Sequence, residues 1–338
     1  MSPLEDALGQ YLSLRRSLGF QLRQQEATLR SFIAFAEHDA APHITVDLMR
    51  RWAQRPQSRA QPTTQAMWLA TIRRFAQWHH AYDPRTEVPP EPLLPERFRR
   101  HPPYIYRDEE VDRLVEVAAR LPSRQGLRGP TYSTFIGLVA VTGMRMSEAV
   151  ALDRSDIDWE EGVLTVRRTK FGKTRLVPVH TTTRAALQRY AKQRDRLLPR
   201  PTNPAFFLAE RGTRITCWSV AYNFAKVSQR TGLRTPIRGR RHGRGPRIHD
   251  LRHRFAVKAL LTWYRAGADV ERELPKLSTY LGHVHVNETY WYLEAVPELL
   301  QLATQRLMDR HQGIPARRQL HLPMDDNCTS PSLMGDIR

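Results

Sequence analysis

Cysteine is nearly absent. Cys217 and Cys328 are the only two in 338 residues. They are too few and too far apart for a disulfide framework or a cysteine-based zinc site. No run of about 18 apolar residues occurs, so no segment reads as a membrane-spanning helix. The opening MSPLEDALGQ carries acids and no apolar stretch follows it, unlike a secretion signal. Acidic residues are also scarce, with 34 Asp and Glu against 53 Lys and Arg, a formal charge of +19. Such a surplus repels itself in the folded state and is tolerated most naturally beside a polyanion. The hydrophobic fraction of 41% is ample for packed cores. These features predict a soluble, cytoplasmic protein whose partner is nucleic acid, with no membrane association.

The patterning predicts two domains, mainly α with a small antiparallel β-sheet (α+β). Residues 1–85 read as an all-helical domain. Leu4, Leu8, Tyr11 and Leu12 share one helical face, and so do Leu29, Phe32, Ile33 and Ala36, and Trp68, Ile72, Phe75 and Ala76. Seven prolines between 83 and 103 exclude a regular helix there, which makes 86–103 a Pro-rich linker. Residues 104–310 form the second domain. It opens on a helix with acids in its first turn and Val111, Leu114, Val115 and Ala118 on one face. IDW, VLTVRR and TRLVPV read as three short strands. Residues 234–247 read as irregular, and further helices follow from HDLRH onward. Residues 311–338 lack periodicity and read as a mobile tail.

Breaking and rejoining a phosphodiester without a cofactor needs three kinds of group. A nucleophile must store the bond energy in a covalent link. Cationic forks must hold the charged oxygens of the transition state, a task suited to arginine. An acid must protonate the departing oxygen. The second domain offers candidates for each. TGMRMSE holds Arg145 with Glu148 at i+3, where it can orient its neighbour. The turn TKFGKTR holds Lys170 and Lys173. HDLRH places His249 and Arg252 on one helical face. LGH holds His283, and TYWYLE holds Tyr290 and Tyr292.

This ordered set resembles the tyrosine recombinases, or phage integrases. Their pattern is an arginine in a TGxRxSE box, a lysine in a β-hairpin, HxxR, LGH, and a tyrosine nine residues beyond that histidine. Tyr292 stands nine past His283, so it matches the nucleophile and Tyr290 does not. Lys170 stands five before Arg175, which leads into LVP, so Lys170 matches the catalytic lysine and Lys173 does not. The resemblance covers residues 104–310, while 1–85 is similar to the family's core-binding domain only in size, helicity and position. It implies a site-specific DNA recombinase of integrase or transposase type that forms a 3′-phosphotyrosine intermediate. Arg145 and Arg252 would clamp the phosphate, with His249 as proton shuttle or further clamp. His283 would donate to a non-bridging oxygen, Lys170 would protonate the leaving oxygen, and Glu148 would support the site. No cofactor or metal is implied. The implied partner is double-stranded DNA, held by a homo-tetramer on two duplexes with or without partner recombinases. The helix PELLQLATQRLM, with Leu299, Leu302, Ala303 and Leu307 on its apolar side, would dock on a neighbouring subunit. The ending YLEAVPELL is most similar to recombinases carried by mobile elements.

Two features depart from that pattern. Arg254 follows HDLRH where the family has a small residue. Residues 230–254 hold nine arginines and one acid. Within them Arg238, Arg240, Arg241, Arg244 and Arg247 are candidate DNA contacts along a backbone or groove. Three other readings compete. A non-catalytic DNA-binding protein of the same fold has no use for the phenol. A type IB topoisomerase uses the same chemistry, but the LGH box and the small helical domain favour a recombinase. A zinc hydrolase would use His249 and His253 at i, i+4, yet HExxH is not formed and no third ligand is evident.

Overall fold

The computed structural model describes residues 2–55, 62–91, 103–167, 174–199, 203–237, 240–283, 285 and 287–311. The chain is mostly helical with a small antiparallel sheet, as the patterning predicts. It divides into two compact units, Met1–His101 and Pro102–Arg338.

The first unit packs α1 (Pro3–Ser17), α2 (Arg23–His38), α3 (Val46–Ala53) and α4 (Pro62–His80) around one core. Side-chain caps start two of them. Ser2 Oγ accepts the Glu5 N–H at 3.2 Å, and Thr45 Oγ1 accepts the Leu48 N–H at 3.1 Å. The core is the faces read from periodicity: Leu8, Leu12, Leu29, Phe32, Ile72 and Phe75 are buried, joined by Trp52 from α3.

The second unit begins with α5 (Asp108–Ala119), α6 (Arg128–Thr142) and α7 (Met146–Ala151). Helix α6 is apolar nearly all round and is buried accordingly. Strands β1 (Ile157–Asp158), β2 (Val163–Val166) and β3 (Arg175–Pro178) form an antiparallel sheet in that order. Leu164 faces Val177 across the β2–β3 register, and both are buried in the core cluster that also holds Phe135, Phe206 and Phe207. Helices α8 (Thr181–Leu197) and α9 (Cys217–Arg230) complete this first core.

The next segment corrects an expectation. Residues 234–247 hold an antiparallel hairpin, β4 (Thr235–Ile237) with β5 (Arg240–Arg244), rather than irregular chain. Then α10 (His249–Arg265), α11 (Val270–Leu281), α12 (Asn287–Ala295) and α13 (Pro297–His311) enclose a separate cluster. It contains Ala256, Val257, Leu260, Leu274, Leu281, Tyr292 and Leu299. On α13, Leu299 is buried, Leu302 and Ala303 are half-buried and Leu307 is exposed. Arg306 fastens this helix to the end of α10 by donating to the carbonyls of Ala268 at 2.8 Å and Tyr264 at 2.9 Å.

Arg254, the departure after HDLRH, has a structural task. It is 4% exposed, donates Nε to the Tyr106 carbonyl at 3.0 Å and pairs with Asp108. Lys258 meets the same carboxylate at 2.8 Å. Together they lock α10 to the start of α5.

Candidate active site

Where the two cores of the second unit meet, α6, α7, β3, α10, α11 and α12 bring five of the six candidate catalytic residues together. Lys170, the sixth, lies outside the described residues, as does Arg238. Arg240, Arg241 and Arg244 lie on β5, and Arg247 is exposed just before α10.

Arg145 precedes the first turn of α7, and Glu148 folds back on it. The Arg145 N–H donates to Oε2 at 2.9 Å and Nη1 donates to Oε1 at 2.8 Å. Arg175, at the start of β3, meets the same carboxylate with Nη1 at 3.0 Å and Nη2 at 2.6 Å. Burial pushes the Glu148 pKa up, but Arg175 and then Arg145 outweigh it and hold the carboxyl down at about 2.

All three guanidiniums of the site converge on one helix end. The last carbonyls of a helix lack partners within it and carry the negative end of its dipole. At the end of α11, the Tyr280 carbonyl accepts Arg175 Nε at 2.9 Å. The Leu281 carbonyl accepts Arg252 Nη2 at 2.7 Å and Arg145 Nη1 at 3.4 Å. The Gly282 carbonyl accepts Arg145 Nη2 at 2.9 Å. Gly282 has a φ of +68°, and a Cβ there would stand 2.9 Å from Arg175 Nη1. The LGH glycine thus serves both the helix stop and the room the arginines need.

Arg252 is the most enclosed member, 1% exposed, with Nη1 donating to the Gly143 carbonyl at 2.8 Å. Burial, then the nearby Arg145 charge, lowers its pKa to about 10. Gly143 ends α6 at a φ of +60°, and a Cβ there would meet Phe255 Cδ1 at 2.6 Å. This close approach of α6 to α10 brings the TGMR and HDLR segments side by side. Three guanidiniums facing one carboxylate leave a positive excess that favours an anion.

Tyr292 lies on α12 and is 2% exposed. Its ring sits 5.4 Å from that of His253 and 6.2 Å from that of His283, centre to centre. Tyr290 is 43% exposed. The charges of Arg252 and Arg145 pull the Tyr292 pKa down. Burial is the larger influence, however, and the phenol stays above its ordinary value. His249 is open to solvent on one side and touches the site through His253, with the two rings 4.7 Å apart. Its imidazolium is disfavoured first by the surrounding protein and then by Arg252.

His283 Nδ1 lies 2.7 Å from Thr289 Oγ1. With the hydroxyl as donor, the ring hydrogen resides on Nε2, which is free to donate. Burial, followed by the charges of Arg252 and Arg145, holds His283 at about 3. His253 is likewise held at about 3, chiefly by burial. Thr289 and Arg175 were not singled out by sequence as site residues. Arg175 served there as a spacing landmark, and that was its only signal.

The neutral histidines give a stability prediction. Their folded pKa values lie below the unfolded value of about 6.5, so the unfolded chain binds more protons. Stability is therefore complete above that value and falls as pH drops from about 6.5 toward 3. Each histidine contributes a slope of about 1.4 kcal/mol per pH unit. Glu148 adds to the loss only below about 4.5. Melting temperature should fall between pH 7 and 5, and His253→Gln should flatten the curve. A wild-type Tm that stays level over that range would contradict the assignment.

The comparisons with known proteins agree on one family. The family model described as the phage integrase family matches residues 105–298. The protein y4rB of Sinorhizobium fredii, whose name assigns it to integrases or recombinases, is 45% identical over 314 residues. The match spans 92% of this chain and 98% of that protein. The tyrosine recombinase XerC of Pelotomaculum thermopropionicum is 30% identical across 74% of this chain and 78% of its own length. Among solved structures, the Tn1549 transposon integrase in complex with a circular intermediate DNA matches with a TM-score of 0.60 at 16% identity. That match covers 89% of this chain and 99% of the other. A lambda integrase tetramer bound to a Holliday junction matches with a TM-score of 0.59 at 15% identity, over 86% and 76%.

Proposed function

The chain belongs to the phage integrase family and is a tyrosine-type site-specific DNA recombinase, and on that premise we propose that Tyr292 is its nucleophile. The observation that carries the assignment is the Tyr292 ring enclosed beside His283 and the Arg252 guanidinium. The Tyr292 oxygen attacks the scissile phosphorus as its proton leaves by way of His249, the bond to the 5′ oxygen breaks, and a 3′-phosphotyrosyl ester forms. Lys170 gives the leaving oxygen its proton. Attack by another 5′ hydroxyl reverses the step and joins new ends. Arg145 and Arg252 hold the non-bridging oxygens through the donors their protein contacts leave free. Nε2 of His283 donates to one of those oxygens, His249 moves protons at the rim, and Glu148 fixes Arg145.

DNA duplex is the partner. In this reading residues 1–85 are a core-binding domain, 86–103 a linker, 104–310 the catalytic domain and 311–338 a tail. Arg238, Arg240, Arg241, Arg244 and Arg247 contact the backbone or a groove. Exchange of four strands calls for four active subunits on two duplexes, with α13 docking between neighbours and partner recombinases as a further option. The likeness of the fold to a transposon integrase and the YLEAVPELL ending support a mobile-element setting. The setting is cytoplasmic, beside the DNA; among the described residues no helix is long and apolar enough to cross a membrane.

The test starts with duplexes selected by this protein from a random library, then nicked near the cleavage point so that the 5′ end diffuses away. The protein should become covalently attached to the 3′ end, with EDTA present or absent. Cleavage that stops in EDTA, or that leaves no protein–DNA link, would refute the reading.

A further inference from the structure

Arg175 has no role in the division of labour above, yet it is as firmly built into the site as the proposed clamp. Its side chain is 11% exposed. Both Nη atoms meet Glu148, and Nε meets the Tyr280 carbonyl at 2.9 Å. Glu148 in turn holds both the backbone and the side chain of Arg145. Arg145 also takes the Gly282 carbonyl, one peptide before His283. Each oxygen of that carboxylate accepts one donor from Arg145 and one from Arg175. The two Arg175 donors thus hold the plane in which Oε1 meets the Arg145 guanidinium. The end of α11 is tied to β3 by the same guanidinium, so the carbonyls that orient Arg145 and Arg252 cannot drift.

We propose that Arg175 is a positioning residue of the phosphate clamp: through Glu148 and the terminal carbonyls of α11 it fixes the direction in which Arg145 presents its donors. The proposal rests on the clamp assigned to Arg145 above. It also gives the strand following the lysine turn a purpose. Arg175 stands five residues after Lys170, and β3, which Arg175 begins, is anchored to α7 through Glu148.

Methylphosphonate DNA separates positioning from mere support of the fold. Replacing one charged oxygen of the scissile phosphate by methyl removes the charge that Arg145 would neutralise. Arg175→Met should slow adduct formation on ordinary phosphate by about 100-fold, as expected when a transition-state donor is misaimed. On methylphosphonate the loss should shrink to about threefold, because the misaimed donor has less charge to meet. Arg175→Lys retains charge but lacks the planar fork and should behave in the same way at smaller amplitude. It also carries the comparison if Arg175→Met does not fold. The double variant with Glu148→Gln should be no slower than the worse single variant, since both act along one chain of contacts.

Equal slowing on both substrates, or additive losses in the double variant, would overturn the proposal. Arg145→Ala serves as the control. If it too slows both substrates equally, the clamp assignment fails rather than the role of Arg175.

Discussion

Tyr292→Phe should bind its DNA site with affinity within about twofold of the wild type and form no detectable covalent adduct, a loss of more than about 10⁴-fold. The substitution removes one oxygen from a ring that remains packed. The Phe ring keeps its contacts with His253, Trp291 and His283. Melting temperature should therefore stay close to that of the wild type, and lost activity cannot be ascribed to unfolding. Peptide mapping of the wild-type adduct should place the phosphate on Tyr292. Tyr290→Phe is the companion variant. Tyr290 is exposed on the same helix two residues earlier, where 3.6 residues per turn directs it well away from Tyr292. It should leave cleavage intact. An adduct mapped to Tyr290, or one persisting in Tyr292→Phe, would overturn both the nucleophile and the nine-residue spacing argument.

Burial of that phenol is where sequence and structure diverge most instructively. Spacing could say that Tyr292 and the arginines share a site. It could not say how much protein encloses the ring, because enclosure is summed over α10, α11 and α12 together. A reading from nearby charge alone expects a lowered pKa, whereas desolvation sets the sign in the DNA-free protein. A bound phosphate and the water it brings would alter both influences.

The boxes themselves were legible because each is local. TGMR ends a helix, HDLRH lies on one face, and LGH is a helix stop. Their meeting at the end of α11 was not legible: the Arg145–Gly282 bond spans 137 residues and the Arg175–Tyr280 bond spans 105. One local reading also fell short. The β4–β5 hairpin was hidden by its glycines, prolines and arginines, which are poor strand formers until a partner strand is supplied. Arg254 looked like an anomaly, and only its partners on the other side of the fold, Tyr106 and Asp108, explain it.

Arg252→Met should show the opposite balance of costs to a typical core variant: cleavage should fall by about 10³-fold while stability changes by no more than about 2 kcal/mol. The wild-type guanidinium is buried beside another positive charge. The lowering of its pKa to about 10 corresponds to roughly 3 kcal/mol of unfavourable environment, which an apolar side chain of similar reach removes. Against this, the Gly143 carbonyl loses its charged donor, at roughly 1–3 kcal/mol for a buried polar group left unpaired, while the Leu281 carbonyl keeps Arg145 Nη1. The two effects nearly offset in the free protein. They do not offset at the transition state, where the two Nη groups also carry hydrogens beyond those given to the carbonyls. Those hydrogens and the fixed charge are what a phosphate loses in the variant. Arg252→Lys tests the geometry separately. An ammonium keeps the charge but cannot bridge both carbonyls and a phosphate oxygen in one plane, so it should recover little of the rate. Single-turnover adduct formation on a nicked duplex, read beside the melting curves, decides the matter. If Arg252→Met cleaves within about tenfold of the wild type, Arg252 is not part of the clamp and its burial serves the junction of α6, α10 and α11 alone.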